Sequence, residues 1–445
     1  MSNLTSWGKL PNARHVAWPI SRRDQDLPDL PAGHTMLPYG LGRSYGDSCL
    51  NDGGVLLQTP GLNRYIHLDA ETGVLTCEGG LSFDDIIQTL LPRGWFLPVT
   101  PGTRFITVGG AIANDIHGKN HHTAGSFGCH VLGFELLRSD GSRRWCSPTE
   151  NSDFFEATIG GLGLTGLITT AQFQLIPAYG PWYTVTHTRF ADLRGFFEVD
   201  AQYRETAPYT VAWVDCVARG KQLGRGIYMS GHAAPPSDQG RLSKEAKAKR
   251  FPMNAPSWLL NGHTVRAFNQ AYFHKESAQP RTFTSHYEPF FYPLDSVLDW
   301  NKLYGKSGFY QYQCVVPYDG ARDPIREIID RIAHSGQGSF LAVLKTFGDR
   351  TSPGWLSFPR RGITLALDFP NRGATTEKLF RELDTVVRQV KGALYPAKDA
   401  RMPNDLFQSA FPRWAELEAL RDPAFSSSFW RRVTGDLEPD SPENP

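Results

Sequence analysis

Three groups of closely spaced glycines before residue 170 are the feature of this sequence best suited to chemistry. The first lies at 38–47, the second runs over 101–128, and the third occupies 160–166. Closely spaced glycines let successive backbone N–H groups point into one concavity, where they bind phosphate oxygens. A tight surface turn would explain the first group as well. The second is unusually long for a merely structural loop, and its few bulky side chains suit backbone packed against a large, flat ligand.

The third group contains the spacing of a dinucleotide-binding fingerprint, G-x-G-x-x-G, at Gly161, Gly163 and Gly166. That fingerprint requires a strand before it and a helix after it. Here the order is reversed, because the pattern predicts a helix over 153–159 and a strand over 167–175. We therefore reject a Rossmann-type NAD site.

Four histidines in or just after the second group raise the question of a metal. His117 and His121 stand four residues apart, with His122 and His130 nearby. The i, i+4 spacing brings ligands together only on a helix, and Gly118 argues against one. The sequence also has no H-E-x-x-H and no C-x-x-C pattern. We predict no metal site and expect His117 to form hydrogen bonds beside a cofactor or substrate.

Short strands, glycine turns and a few helices are predicted over 36–178. The apolar runs 54–57 and 73–77 each follow a glycine and predict strands. The second run leads into a helix with Ser82 as its N-cap and with Asp84 and Asp85 in its first turn, where the helix dipole favours negative charge. Residues 92–94 end this helix.

A second domain is predicted to begin near 179–181. Strand-like runs at 209–215, 309–317, 339–346 and 362–369, with helical periods at 323–335 and 375–391, indicate an antiparallel sheet with helices on one face. The chain is therefore expected to have an α+β fold of two domains. The segment 230–285 is polar and rich in turn residues, which is typical of a mobile loop. It carries a basic run at 244–250, followed by the more apolar residues 251–253 and 257–260.

Length and composition are those of a globular enzyme. A chain of 445 residues is too long for one ordinary core, and a net charge of +1 gives no indication of a nucleic-acid partner. The six cysteines form no C-x-x-C pair, which fits a reducing compartment. The first 20 residues contain no apolar run typical of a secretory signal, and no segment has the roughly 18–20 apolar residues that span a bilayer. We predict a cytoplasmic protein that lies at most on a membrane surface.

Taken together, the glycine loops resemble the FAD-binding domain of vanillyl-alcohol oxidase-type flavoproteins (the PCMH-type domain). Within that group, the chain resembles the decaprenylphosphoryl-ribose 2-oxidase family. The motifs that carry the resemblance lie at 42–47, 101–104, 109–113, 117–122, 212–216, 292–295, 308–313, 368–370 and 394–399. The resemblance implies an FAD-binding domain at 1–178, a substrate-binding domain at 179–392, and a C-terminal segment at 393–445 that returns to the first domain.

The cofactor implied by the resemblance is FAD, held without a covalent bond. Covalent relatives usually have a histidine just before the serine of the first loop, where this chain has Arg43. Residues expected around the cofactor are Gly40, Gly42, Arg43, Ser44, Tyr45, Gly46, Ser48, Gly102, Thr107, Val108, Gly109, Gly110, His117, Gly118, Lys119, Asn120, Ile168 and Tyr395.

The resemblance also implies a sugar substrate whose C2 hydride passes to flavin N5. Lys398, His117 and Tyr45 are the expected catalytic residues, and Lys398 is the charged group that we expect nearest to the chemistry, although a surface lysine at a helix start is the alternative. Burial beside the flavin would lower the pKa of a lysine there. Lys119 and Lys345 suit a phosphate group. The residues expected around the substrate are Lys119, Phe291, Gln311, Gln313, Lys345, Thr364, Ala366 and Lys398.

Three positions depart from the family's pocket. Phe291 stands at a family tyrosine, Thr364 at an asparagine, and Ala366 at a position where some members have a cysteine. Each change alters a polar or reactive group, so the selectivity for the sugar can differ. Inhibitors that attack that cysteine are not expected to bond this chain.

The leading hypothesis is a polyprenyl-phosphate pentose 2-oxidase that acts with a short-chain reductase partner to epimerise C2. The basic run at 244–250 and the apolar residues after it would then lie against lipid. An oxidase of a soluble alditol or sugar lactone is the alternative with the same chemistry. Alternatives of a different class are a flavin-binding protein without oxidase activity and a metal-dependent binding module.

Overall fold

Within the described residues, the N-terminal region of the computed structural model contains a three-stranded sheet, a five-stranded sheet, a further antiparallel strand pair at 95–96 and 176–177, and four short helices. The structure describes residues 4–235, 249–251, 253–256 and 260–435. The strands are β1 (Val16–Pro19), β2 (Met36–Tyr39), β3 (Val55–Gln58), β4 (Tyr65–Leu68), β5 (Val74–Glu78), β6 (Trp95–Phe96), β7 (Val131–Leu137), β8 (Arg143–Cys146), β9 (Leu167–Gln174) and β10 (Ile176–Pro177). The helices are α1 (Phe83–Leu90), α2 (Val108–Ala113), α3 (His121–Ala124) and α4 (Ser152–Thr158).

The strands of this region form a parallel sheet in the order β1-β3-β2 and an antiparallel sheet in the order β4-β5-β9-β7-β8. The predicted strands at 54–57 and 73–77 and the helix after Ser82 are confirmed. The Ser82 hydroxyl accepts a hydrogen bond from the backbone N–H of Asp85, which satisfies one of the free donors at the helix start. The third glycine group lies between α4 and β9, in the predicted helix-to-strand order.

The rest of the chain forms a large antiparallel sheet and its helices. The strands are β11 (Trp182–Phe190), β12 (Tyr209–Val214), β13 (Gly226–Ala233), β14 (Lys249–Arg250), β15 (Arg281–His286), β16 (Val297–Leu298), β17 (Phe309–Pro317), β18 (Ala342–Phe347), β19 (Gly362–Pro370) and β20 (Ala393–Leu394). The helices are α5 (Leu193–Tyr203), α6 (Gly262–Lys275), α7 (Tyr287–Phe291), α8 (Arg322–Ser335), α9 (Ala374–Gln389), α10 (Asn404–Ala410), α11 (Trp414–Leu420) and α12 (Ser428–Thr434). The large sheet runs β15-β11-β13-β12-β18-β19-β17-β20. The chain thus has the expected α+β fold.

Side-chain alternation along β17, β18 and β19 divides the sheet into two faces. Leu344 and Leu365 point to a core that also contains Ile328 of α8 and Leu383 of α9, and all four are fully buried. Helices therefore cover this face. The residues that alternate with them point the other way, toward the N-terminal region, and they are mostly polar.

The mobile-loop interpretation of 230–285 is wrong for much of that segment. It contains the end of β13, the 14-residue helix α6 and the strand β15. The error has a physical reason: α6 buries only Val265, Asn269 and Phe273, so its amphipathic period is weak in the sequence. Residues 236–248, Pro252 and 257–259 lie outside the described residues, and these include most of the basic run and part of the apolar segment behind it.

Helix α12 near the C-terminus packs against the segment that follows the first glycine loop. The backbone N–H of Ser428 donates to the carbonyl of Leu50 at 2.8 Å. The guanidinium of Arg432 binds both carboxylate oxygens of Asp47, at 2.8 and 2.9 Å, and Oδ2 of Asp399, at 2.9 Å. The domain boundaries at 178 and 392 stay a prediction. No helix within the described residues is both long and apolar enough to cross a membrane.

The Arg432 contacts predict that Arg432→Met lowers the free energy of unfolding by about 3–5 kcal/mol, because two buried carboxylates lose their cation. Chemical denaturation measures the change. Arg361→Met is the matched control, since Arg361 pairs with the exposed carboxylates of Asp319 and Asp349, and we expect a change of less than about 1 kcal/mol there. Equal stability of Arg432→Met and the unchanged protein would contradict a stabilising role for this contact.

Candidate active site

One cavity of about 520 Å³ lies between the glycine loops and the polar face of the large sheet. Nearly all of the residues that the sequence analysis predicted for the site line this cavity. Those that line it are Gly40, Gly42, Arg43, Ser44, Tyr45, Ser48, Gly102, Thr107, Gly109, Gly110, His117, Gly118, Lys119, Ile168, Phe291, Gln311, Gln313, Lys345, Thr364, Ala366, Tyr395 and Lys398. Residues nominated for the cofactor and for the substrate thus share one continuous space.

Three nominated residues lie beside the cavity without lining it. Val108 is fully buried at the start of α2. Asn120 donates from its side-chain amide to the carbonyl of Pro98 at 2.8 Å. Gly46 is packed so closely that an added Cβ would lie 1.8 Å from the carbonyl oxygen of Asp399. These three support the loops from behind, and their expected contact with the cofactor stays a prediction.

The first glycine loop presents unused hydrogen-bond donors to the cavity. Within the part of the chain that the structure describes, the backbone N–H groups of Gly42, Arg43 and Ser44 have no protein acceptor. The buried hydroxyl of Ser48 also has no partner there. Gly42 has a φ of 64°, a left-handed conformation that glycine adopts without strain. Donors left unpaired at a cavity wall suit the phosphate oxygens of a nucleotide cofactor.

The first and second loops meet through backbone contacts that leave no room for larger residues. A Cβ on Gly40 would lie 2.5 Å from the hydroxyl oxygen of Thr107. That same hydroxyl accepts a hydrogen bond from the N–H of Gly110 and begins helix α2. Gly109 donates from its backbone to the carbonyl of Gly79 at 2.7 Å. The two glycine loops and the residues around Gly79 therefore form one cavity wall.

Strands β17, β18 and β19 provide the opposite wall through their register. Gln311 pairs with Asp368, Gln313 with Ala366, and Lys345 with Thr364. Because these positions are two residues apart along each strand, their side chains share one face of the sheet. The expected grouping of the glutamines with Lys345, Thr364 and Ala366 follows directly from this register.

His117 lies between the two walls and uses both ring nitrogens. Nδ1 is 3.1 Å from Nζ of Lys345, and Nε2 is 3.0 Å from the side-chain amide of Gln313. Burial lowers the pKa of His117 well below its usual value, and the charge of Lys345 adds to this effect. The ring is therefore neutral. Because the amide nitrogen of Gln313 donates to Nε2, the single ring proton is on Nδ1, where the neutral amine of Lys345 accepts it.

Three lysines converge on the cavity, and burial lowers the pKa of each. The pKa is about 7 for Lys345 and about 8 for Lys119 and Lys398. For Lys345, the charges of the other two lysines lower it further. Lysines in this range exchange protons readily near neutral pH. Their convergence also favours a substrate with negative charge.

Lys398 is held in the cavity by the turn Pro396–Lys398, which follows β20. Its ammonium nitrogen lies 3.8 Å from the centre of the Tyr45 ring, and the backbone N–H of Tyr45 donates to the carbonyl of Ala397 at 2.9 Å. The alternative interpretation of Lys398 as a surface lysine is wrong, because this lysine lines the buried cavity.

The other histidines of the second loop bind backbone groups. A ring nitrogen of His122 lies 2.9 Å from the carbonyl of Ala207, and one of His130 lies 2.9 Å from the carbonyl of Ala124. Nδ1 of His121 accepts from the N–H of Gly348 at 3.3 Å. Within the described residues, no three His, Cys, Asp or Glu side chains are grouped to hold a metal ion.

Sequence reasoning did not nominate Asp368, a buried carboxylate of the cavity. The sequence marks Asp368 only as part of the motif at 368–370, yet this residue lines the cavity and is 1% exposed. The signal was available in the strand period, because Asp368 stands two residues after Ala366 and four after Thr364. Trp300 lines the cavity as well and lies in no motif that the sequence showed.

Comparison with known proteins identifies the cofactor class. Residues 31–147 match the family model described as an FAD binding domain. These residues contain the first and second glycine loops, and the unpaired donors of the first loop fit this assignment. FAD supplies a two-electron acceptor when it is bound. The protein is thus an FAD-dependent oxidoreductase.

The relatives extend the similarity over most of the chain. Decaprenylphosphoryl-β-D-ribose oxidase of Mycolicibacterium smegmatis is 36% identical over 420 residues, which cover 90% of this chain and 89% of that protein. An uncharacterised protein of Streptomyces coelicolor is 36% identical over 78% of this chain and 98% of its own length. Mouse L-gulonolactone oxidase is 30% identical over 32% of this chain and 31% of its own. The chain belongs to the decaprenylphosphoryl-β-D-ribose oxidase family.

The lysine pKa values predict how the holoenzyme binds a simple anion. Sulfate keeps its charge near neutral pH, whereas the lysines lose theirs as the pH rises through about 7 to 8. We expect sulfate, followed through the flavin absorbance, to bind best below pH 7 and roughly 10-fold more weakly at pH 9. In Lys345→Met, the decrease in sulfate affinity between pH 6 and pH 7.5 should be smaller than in the unchanged protein. A sulfate affinity independent of pH would contradict titration of these lysines in the neutral range.

Proposed function

We propose that the protein oxidises the C2 hydroxyl of a polyprenyl-phosphate-linked ribose to a 2-keto sugar, as the first half of a C2 epimerisation. The observation that carries the proposal is the single cavity in which glycine loops for FAD face a wall of three lysines and two glutamines. The near-full-length similarity to a decaprenylphosphoryl-β-D-ribose oxidase supports the choice of sugar.

The residues of the cavity divide between binding and chemistry in this proposal. Lys119 and Lys345 bind the phosphate, because their charges have no carboxylate partner of their own among the described residues. Gln311 and Gln313 bind sugar hydroxyls, while Phe291 and Ala366 limit the shape of the pocket. Lys398 lies beside the reacting hydroxyl, with Tyr45 beneath its ammonium group.

The FAD is held without a covalent bond. Arg43, which stands where covalent relatives have a histidine, lies with its guanidinium 4.4 Å from the centre of the Trp7 ring and donates to the carbonyl of Leu41. A guanidinium is not a nucleophile, because it stays protonated. Acid precipitation should therefore release intact FAD.

Reduction of the keto sugar needs a second protein. The third glycine group lies between a helix and a strand, an order that does not make a dinucleotide site. A separate short-chain reductase supplies the hydride for the second half of the epimerisation. Oxidation of a soluble alditol or lactone is not favoured, because the similarity to L-gulonolactone oxidase covers only 32% of the chain.

Anaerobic bleaching of the flavin tests the proposal. A panel should contain prenylphosphoryl ribose, prenylphosphoryl arabinose, ribose 5-phosphate, an alditol and a sugar lactone. We expect bleaching to be fastest with the prenylphosphoryl ribose and to yield a 2-keto product by mass spectrometry. Faster bleaching with the alditol or the lactone would overturn the proposal.

The same bleaching experiment with Lys398→Ala tests the role of this lysine. The yellow colour should remain, and bleaching should slow by about 10²–10⁴-fold, because a positioned ionisable group is lost. Lys306→Ala is the matched control, since Lys306 is exposed and does not line the cavity. If Lys398→Ala is bleached at the rate of the control, Lys398 has no part in the chemistry.

We also propose that the cavity opens toward a membrane surface that presents the lipid. The strand pair β14 and β16 joins Arg250 to Leu298, and both residues line the cavity. Arg250, the last residue of the basic run at 244–250, therefore lies at one edge of the cavity. Each lysine near an anionic surface contributes about 1 kcal/mol.

Replacement of Lys244, Lys247 and Lys249 by serine tests this contact without changing the cavity. Binding to vesicles that contain phosphatidylglycerol should weaken by roughly 100-fold, and bleaching by a soluble sugar phosphate should not change. Vesicles of phosphatidylcholine alone serve as the control. Undiminished binding to the anionic vesicles would rule out an electrostatic role for this segment.

A further inference from the structure

Asp368 is a buried carboxylate with one oxygen in use and one free. Its Oδ1 accepts a hydrogen bond from Nε2 of Gln311 at 2.6 Å, and its backbone N–H donates to the hydroxyl of Ser339. Oδ2 is buried and has no hydrogen-bond partner among the described residues. The residue is thus held once through its side chain and once through its backbone, while Oδ2 is left without a partner on a side chain that lines the cavity.

A buried, ionised carboxylate oxygen without a hydrogen-bond donor costs free energy, and a ligand that donates a hydrogen bond to it offsets that cost. Removing an ionised group from water costs more than removing a neutral polar group, and a hydrogen-bond donor offsets that cost. Sugars supply such donors in their hydroxyl groups. Asp368 therefore has the geometry to accept a hydrogen bond from a sugar hydroxyl, and its Oδ2 gains a partner only when the substrate is bound.

The other ionisable groups of the cavity are poorer acceptors for a hydroxyl proton. Both ring nitrogens of His117 are in use. Burial raises the pKa of Tyr45 well above its usual value, so its phenol keeps its proton. Lys119 and Lys398, with pKa values of about 8, are mostly protonated at pH 7, and an ammonium group has no lone pair. Lys345 has a pKa of about 7, but its nitrogen is already engaged by Nδ1 of His117 and the carbonyl of Gly118.

The two other carboxylates that line the cavity are engaged by the protein. Oδ2 of Asp295 accepts from the backbone N–H of Arg104 at 2.9 Å. Oδ2 of Asp299 binds the ammonium group of Lys302 at 3.0 Å. Asp368 is therefore the lining carboxylate with a buried oxygen that has no hydrogen-bond partner among the described residues.

We propose that Oδ2 of Asp368 accepts the hydrogen bond of the substrate hydroxyl that is oxidised and takes its proton. The proposal rests on the function proposed above. In the reaction, the O–H bond breaks and its proton passes to Asp368, while the carbon gives up the C–H electron pair as a hydride, which bound oxidised FAD would accept, and a carbonyl forms. The positive charge of Lys398 lowers the pKa of Asp368 and so favours the ionised carboxylate, against the larger effect of burial.

Equilibrium binding to the chemically reduced holoenzyme separates this role from turnover, because a reduced flavin cannot accept the hydride. The probes are a prenylphosphoryl ribose and its 2-deoxy counterpart, measured by calorimetry. The unchanged protein should bind the hydroxyl-bearing probe about 10- to 100-fold more tightly than the deoxy probe. Asp368→Asn should remove most of that preference while keeping the yellow colour of the oxidised protein.

Asp319→Asn is the matched control, since Asp319 is an exposed carboxylate paired with Arg361. It should keep the full preference for the hydroxyl-bearing probe. Bleaching of oxidised Asp368→Asn by the ribose probe should be slower by about 10²–10⁴-fold, the usual loss when a general base is removed. Retention of the preference in Asp368→Asn overturns the proposal.

The unchanged protein provides a second measurement that does not depend on the folding of a variant. Burial raises the pKa of Asp368 to about 7, so the carboxylate is ionised above that pH and protonated below it. The preference for the hydroxyl-bearing probe should therefore be larger at pH 7.5 than at pH 6. Lys398, Tyr45 and Tyr304 also face this carboxylate. Both tyrosines keep their protons over this range, because their pKa values are raised, and Lys398 stays mostly protonated.

The two proposals fail in different ways. Bleaching by an alditol or a lactone but not by any ribose derivative would overturn the proposed function, and the ribose substrate with it. If the ribose probe bleaches the flavin, but the preference for the hydroxyl-bearing probe is the same at pH 6 and at pH 7.5, only the role of Asp368 is overturned.

Discussion

The hydrogen bond from the backbone of Tyr45 to the carbonyl of Ala397 joins the two parts of the chain on which the site depends. On one side is the first glycine loop, whose unpaired N–H groups face the cavity. On the other is the short turn that carries Lys398, and that turn is attached to the large sheet through β20. Because Gly46 packs directly on the carbonyl of Asp399, neither segment can shift without the other. The distance between the cofactor loop and the reactive lysine is thereby set by backbone contacts, which vary less than side-chain contacts.

The polar wall of the cavity follows from the register of three strands. Side chains alternate between a helix-covered apolar core and the cavity, so one short sequence such as 362–370 contributes to stability and to chemistry in turn. Leu365 and Leu367 bind the sheet to its helices, whereas Thr364, Ala366 and Asp368 face the cavity. Substitutions at the cavity positions can therefore change substrate selectivity without weakening the core. This separation explains how Thr364 and Ala366 can differ from the pattern of the family within an unchanged sheet.

Much of this arrangement could be predicted from the sequence, and the limits have physical causes. The helix after Ser82 and the strand Phe309–Pro317 were predictable because capping residues and alternation act locally. Helix α6 was missed because its buried face is narrow and its surface is polar. Nearly all of the residues nominated through the resemblance line one cavity, and their individual roles stay predictions. Strand alternation would place Asp368 on the cavity face with Thr364 and Ala366, but its unpaired oxygen depends on the position of Gln311, which no local pattern predicts.

The contact between the first glycine loop and the last part of the chain also has a consequence for biosynthesis. Residues 40–48 are synthesised roughly 350 residues before the turn at 396–398, and Arg432 is made later still. At roughly 5–20 residues per second, the first loop waits for about 20–70 seconds before its partners exist. During that interval, Asp47 has no guanidinium to bind and the cavity lacks one wall. Firm retention of the flavin therefore belongs to the finished polypeptide, and a chain released early would leave the glycine loops without the contacts that hold them in place.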